Sequence, residues 1–216
     1  MRKLSIFILI LASFFAEAES QSVPDELLQA LAANMEKINS FEVEARINVD
    51  VEFIKIKERF VKVRYLKPDQ FEFDAEGLAL LPRNGMQMDY LSLINRPYTA
   101  IRAGEEDISG IRTVVIKIIP DEDLDDIIMA QLWIDPQKLS VMRMKTFTKK
   151  SGSYLIDFKF TNHPFNLPDQ TIVTLDISNM SIPAKMISEF KGTEDKVSDE
   201  PLPAKVIIQY SNYKVN

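Results

Sequence analysis

The stretch Phe41 to Phe53 restricts this chain more than any other. Phe41, Val43, Ala45, Ile47, Val49, Val51 and Phe53 are all apolar, and Glu42, Glu44, Arg46, Asn48, Asp50 and Glu52 between them are all polar. Successive side chains of a strand point to opposite faces, so this period of two predicts a ribbon with one oily and one wet face. At about 3.4 Å per residue the stretch reaches roughly 44 Å. Strands ordinarily stop at about ten residues. A strand of this length belongs in a curved sheet, and the greasy inner face of a curved sheet is a trough. That trough is either a core or a container.

The rest of the chain supplies the neighbours. Val61 to Tyr65 and Phe71 to Asp74 continue the alternation, separated by the turn Lys67-Pro-Asp-Gln70. The parity slips at Ile54 and Ile56, which predicts a hairpin reversing near Lys57-Glu58 with a bulge absorbing the slip. Ile111–Ile119, Ile127–Asp135, Leu139–Thr148, Tyr154–Phe160, Thr171–Ser178, Ile182–Phe190 and Lys205–Tyr213 then read as a meander. Turns at Pro120–Asp126, Pro136–Lys138 and Lys149–Gly152 and the charged linker Gly192–Glu200 separate its members. The fold class is mainly β (α+β), an antiparallel sheet of roughly ten strands. A sheet that large must curl or close.

Two segments are candidates to cover the trough. Ser22-Val-Pro-Asp25 has capping-box spacing, and Leu27, Leu28, Leu31, Met35 and Ile38 follow at helical spacing. An amphipathic helix over Pro24 to Asn39 is predicted, with one apolar stripe to lay on the oily strand face. Gly77-Leu-Ala-Leu-Leu-Pro82 is a greasy loop too short for a usual core helix. Its Leu78, Leu80 and Leu81 either plug the trough or meet a partner. Eight methionines lie beyond the N-terminal segment, and methionine suits a surface that accepts irregular apolar shapes.

The N-terminus points to export. Arg2 and Lys3 precede an apolar run from Leu4 to Phe15, and Ala16-Glu-Ala18 is a small-x-small site. This is the layout of a signal peptide over residues 1–18, cleaved after Ala18, leaving a single domain over 19–216 in the periplasm. The chain has no Cys, hence neither disulfide nor acylation cysteine. With 26 basic and 32 acidic residues and no basic stripe, it is a poor candidate for nucleic acid or an anionic membrane surface.

No catalytic constellation emerges. The one histidine, His163, stands beside Pro164 in a loop and reads as a surface residue. There is no nucleophile elbow and no phosphate-loop glycine pattern among the six glycines. The acidic run Asp121 to Asp126 resembles the start of a calcium loop but has Asp126 where the sharp turn needs Gly and Leu132 where the bidentate Glu belongs. A non-enzymatic protein without metal or cofactor is expected.

Several motifs resemble a family. Tyr65-Leu-Lys-Pro-Asp-Gln-Phe-Glu-Phe73 looks like the strand-turn-strand of the LolA-like outer-membrane lipoprotein carriers. Gly104 to Arg112 and the strand ending Ile119-Pro120 are similar to the middle of that superfamily and of the related RseB sensor domain. Leu132-Trp-Ile-Asp-Pro136 and the closing Val206 to Asn216 fit as well. The resemblance implies an unclosed barrel of about eleven strands with helices over its concave face. It also implies binding of acyl chains there, and transport of lipoproteins or lipids across the periplasm without catalysis. An Arg before the Pro pins the helical lid in the carriers; here the position is Lys67, the candidate lid lock. The carriers' long lid insertion is shortened to about Leu78 to Arg96. Both departures leave room for a general lipid-binding relative.

The combined expectation is a trough lined by Phe41, Val43, Ile47, Val49, Val51, Phe53, Val63, Tyr65, Phe71 and Phe73. Leu27, Leu31, Met35, Leu78, Leu80 and Leu81 form its lid. Its partners are lipoprotein acyl chains or lipids, with delivery partners at the inner and outer membranes. The alternative is an envelope sensor or interaction module of the same fold, taking a protein or lipoprotein segment.

Overall fold

The computed structural model describes residues 19–51, 54–55, 58–67, 70–74, 89–121, 127–149, 152–161, 163, 165–176 and 203–216. Helix α1 (Glu19–Met35) precedes the strands β1 (Ser40–Val51), β2 (Ile54–Lys55), β3 (Arg59–Leu66) and β4 (Gln70–Asp74). Helix α2 (Asp89–Ile94) leads to β5 (Tyr98–Ile108), β6 (Ile111–Pro120), β7 (Ile127–Asp135) and β8 (Ser140–Thr148). The strands β9 (Ser153–Lys159), β10 (Gln170–Asp176) and β11 (Pro203–Val215) complete it. All pairings are antiparallel, in the order β4-β3-β1-β11-β10-β9-β8-β7-β6-β5, with β2 attached to β1. The ends β4 and β5 do not pair with each other, so the curved sheet is an unclosed barrel. Predicted strand Ile182–Phe190 and the loop with Leu78, Leu80 and Leu81 lie outside the described residues.

The long strand is where the alternation puts it. Phe41, Val43, Ala45 and Ile47 are 1–4% exposed, and the even positions between them are exposed. β1 is central because it pairs with β3 on one side and β11 on the other. Its oily face joins Val61, Val63, Ile116, Leu132, Ile134, Met144, Ile156 and Val206 in one buried cluster on the concave side.

Three sequence expectations change. The reversal is not near Lys57-Glu58 but between Val51 and Ile54, since Val51 pairs with Ile54 and Asp50 with Lys55. That hairpin sets an odd position opposite an even one, which is the parity slip read in the sequence. β3 then pairs with β1 one residue out of step with β2, Ile47 facing Arg59, so one extra residue restores the odd face. The first helix spans Glu19–Met35 rather than 24–39, with Pro24 inside it, where proline forfeits the hydrogen bond its own N–H would donate. It stops at Met35 and the chain turns through Glu36 and Lys37 into β1.

The third change is β5, which the hydrophobic pattern does not announce. It is an edge strand with most of its residues exposed, and a register shift between Arg102 and Gly104 interrupts it. Gly104 has φ 126, a conformation open to glycine. The bulge and the charges Arg102, Glu105, Glu106 and Asp107 protect the free edge from pairing with another chain. Ser109 and Gly110, both at positive φ, make the two-residue hairpin to β6.

One buried and two half-buried tyrosines tie this fold to pH. Burial pushes Tyr210 up to about 12 from its ordinary 10.0. Burial raises Tyr90 and Tyr213 as well, with Tyr210 and Asp169 adding to the effect at Tyr213. Above pH about 10 the unfolded chain releases these protons while the folded one keeps them, so stability falls as pH rises. Denaturant melts are expected to hold steady up to about pH 10 and to weaken from there to about 12. Circular dichroism at fixed urea reads the midpoint, and a midpoint unchanged over that window contradicts the burial of these rings.

Candidate functional site: a covered apolar trough

β1 sets one wall of the site. Phe41, Val43 and Ile47 are buried on the concave face, and Val49 is half-buried against the same cluster. β3 adds Val63 and Tyr65, 4% and 3% exposed, and β4 adds the half-buried Phe71 and Phe73. Phe53 lies outside the described residues, and Val51 is placed by its backbone, facing Ala204 of β11.

The aromatic members meet. Phe41 stacks on Tyr65 with centroids 5.1 Å apart, Tyr65 lies 5.0 Å from Phe71, and Phe71 lies 6.4 Å from Phe73. Tyr213 closes on Phe41 at 5.8 Å, a residue the sequence reading did not select. The signal for it was a broken alternation at Tyr210-Ser-Asn-Tyr213. Glu42 faces Lys214 and Glu44 faces Ser211, so β11 carries an extra residue there. Asn212 sits at φ 58 in that bulge, a conformation asparagine tolerates, and the bulge re-aims Tyr213. Tyr213 donates its hydroxyl to the Pro168 carbonyl at 2.7 Å. His163, half-buried rather than free on the surface, packs 4.9 Å from the Tyr213 ring.

Two helices cover the trough. Leu28, Leu31 and Met35 of α1, and Ile38 after it, are buried in the same cluster as β1, with Leu27 half-buried beside them. α2 buries Tyr90 and Leu93, and Tyr90 meets Phe158 edge-on at 6.3 Å. α2 occupies the stretch predicted as a shortened lid insertion, and it sits between the two edge strands in sequence.

The C-terminal end of α1 is held from outside. Its last turn has no basic residue of its own to balance the partial negative charge of the helix end. Lys67, in the turn after β3, supplies one: its ammonium donates to the Glu36 carbonyl at 3.0 Å. The Lys67 backbone N–H donates to Asn39 O at 2.9 Å, so the same residue straps the start of β1. Glu36 to Asn39 is thus a short connection with a fixed end at the sheet and, at the helix, the Lys67 tether beside a local bond from the Lys37 ammonium to Asn34 Oδ1 at 3.1 Å.

The opposite, wet face offers different chemistry. A groove of about 500 Å³ there is lined by Glu42, Glu44, Lys62, Arg64, Glu72 and their neighbours. Its charges largely satisfy one another: Arg64 reaches Glu42 at 3.0 Å and Glu72 at 3.1 Å, and Asn212 donates to Glu44 at 2.7 Å. Among the described residues no group of three His, Asp or Glu is placed to hold a metal ion. No helix among them is long and apolar enough to cross a membrane.

An antiparallel, unclosed barrel whose concave face is apolar and roofed by helices defines a class of structures. No family profile matches this chain and no curated protein matches it in sequence. Solved structures do match in fold. One is a domain from Vibrio parahaemolyticus described as that of an outer membrane lipoprotein-sorting protein. It superposes with a TM-score of 0.61 at 12% identity, over 90% of this chain and 93% of the other. A DUF1329 family protein from Desulfovibrio piger gives 0.55 at 11% identity, over 91% and 93%. A LolA superfamily protein from Nitrosomonas europaea gives 0.52 at 11% identity, over 87% and 93%. The chain has the fold of the LolA-like lipoprotein-sorting structures.

Proposed function

We propose that this protein is a periplasmic carrier. It binds acyl chains of lipoproteins or lipids in the trough beneath α1 and moves them toward the outer membrane without catalysis. The observation that carries this reading is the cover. A 17-residue helix packs along the edge strand β5, buries its apolar stripe in the same cluster as the oily face of β1, and is tethered at its end by an ammonium-to-carbonyl bond.

Magnitudes favour an exchange. Undocking the buried Leu28, Leu31 and Met35 exposes three apolar side chains, at about 1.5–3 kcal/mol each. An acyl chain entering the vacated face gains about 0.8 kcal/mol per methylene, so a long chain roughly offsets the helix. Near-balance suits a carrier, which must release what it loads. Export by the N-terminal segment 1–18, cleaved after Ala18, belongs to the same reading.

Lys67 is the proposed lock. Lys67→Ala removes the tether and is expected to raise opening of α1 about five-fold, on the order of 1 kcal/mol. Lys67→Arg keeps the charge and offers more donors, so it holds the helix end at least as well. Stopped-flow uptake of a fluorescent fatty acid reads both variants. Faster entry and exit in the alanine variant alone supports the lock, and identical rates in all three proteins contradict it. A purified protein that takes up no fatty acid at all removes the carrier reading.

A further inference from the structure

The concave face holds a polar group out of place. Thr146 of β8 is 0% exposed, and its hydroxyl has no hydrogen-bond partner among the described residues. Its neighbours in β8 and across the sheet set the face it occupies. Met144, two residues earlier, is in the buried cluster, as is Ala130, which stands opposite Thr146 on β7. Tyr154 of β9, opposite on the other side, packs against the same cluster. The hydroxyl therefore belongs to the floor of the trough, on the wall facing away from β1 in strand order.

Two other threonines show what a buried hydroxyl in this sheet ordinarily does. Thr113 is 0% exposed and donates to the Glu106 carbonyl at 2.7 Å. Thr171 is 1% exposed and hydrogen-bonds the Tyr210 side chain. Thr146 differs from both. Valine has the same shape, suits a strand equally, and would leave no hydroxyl unsatisfied. The side chains across the sheet are small at this point, since Ala130 is the partner of Thr146, while Ile118 and Tyr154 flank the pair. A small residue beside an unsatisfied donor leaves one polar point in an apolar wall. Ligand sites use this combination, apolar lining for affinity and a few placed polar groups for orientation.

We propose that Thr146 is the polar anchor of the trough, donating its hydroxyl proton to the sp2 oxygen at the head of a bound acyl chain. The proposal rests on the trough being a ligand site. It deepens that reading by fixing which end of the chain lies at β7–β9. An acyl chain has hydrogen-bond acceptors at its head alone, a carboxylate in a free acid and an ester carbonyl in a lipid. Thr146 offers a donor to either.

The test compares three probes in the full protein: cis-parinaric acid, its methyl ester, and the hydrocarbon diphenylhexatriene. Thr146→Val is expected to bind the acid, the ester or both about five-fold more weakly and the hydrocarbon as before, since a single hydrogen bond is at stake. A loss for the acid alone identifies the carboxylate, and any loss for the ester identifies the carbonyl. Thr146→Ser restores the affinity. The ligand-free valine variant melts above the wild type, because the unsatisfied hydroxyl is gone. The anchor is overturned if all three probes shift together, if none shifts, or if the wild type takes up the hydrocarbon alone. In each of those cases the trough stands. A wild type that takes up none of the three removes the trough and the anchor with it.

Discussion

Ile47→Glu is expected to abolish uptake of acyl probes. Ile47 is 2% exposed at the centre of the oily face of β1, between Ala45 and Val49, with Ile208 of β11 opposite. A carboxylate there must either stay charged without a partner or take up a proton, and both cost several kcal/mol. Against a typical total stability of about 5–15 kcal/mol the fold itself is at stake, so two further variants accompany it. Ile47→Ala costs about 2–4 kcal/mol, enlarges the trough and keeps it apolar, so uptake persists. Asn48→Glu, on the exposed face next door, changes stability by no more than about 0.5 kcal/mol and leaves uptake intact. Circular dichroism establishes folding and fatty-acid fluorescence reads binding. A folded Ile47→Glu protein that still binds would place the ligand on another wall.

The second large effect concerns the cover. Leu31 is 1% exposed and anchors the middle of the α1 stripe. Leu31→Ala is expected to weaken docking of α1 by about 2–4 kcal/mol, the usual cost of a truncated buried leucine. If α1 opens as a unit while the sheet stays folded, amide exchange in Leu28 to Met35 rises on the order of 30- to 1,000-fold, and exchange in β6–β8 barely changes. If α1 is ordinary core, the loss spreads and both regions speed up together. Hydrogen exchange with mass spectrometry separates these outcomes.

Much of the architecture was legible because one physical rule dominates it. A sheet with one buried face writes its register into the sequence as alternation, and Phe41, Val43, Ala45 and Ile47 follow that rule in β1 as Val61, Val63 and Tyr65 do in β3. Where burial does not act, the rule falls silent. β5 lies at an edge with little to bury, and its side chains carry no sustained alternation. The reversal after Val51 carries no Gly, Pro or Asn, so its position was set by pairing with Lys55 and Ile54 rather than by turn chemistry. The contact of Lys67 with Glu36 spans 31 residues and depends on where the helix stops, which the apolar stripe overestimated by running on to Ile38. Tyr213 and Thr146 were missed for a different reason. One depends on a bulge, which shows only as a break in the alternation, and the other on the absence of a partner, which leaves no periodic mark.

Native mass spectrometry of protein recovered from cell envelopes tests the central claim most directly. The account predicts a population heavier than the polypeptide by the mass of a lipid or lipoprotein acyl moiety. That excess disappears on solvent extraction, returns when acyl lipid is offered again, and is missing from folded Ile47→Glu protein. Bare polypeptide in every preparation, or a co-purifying protein segment in place of lipid, would contradict it.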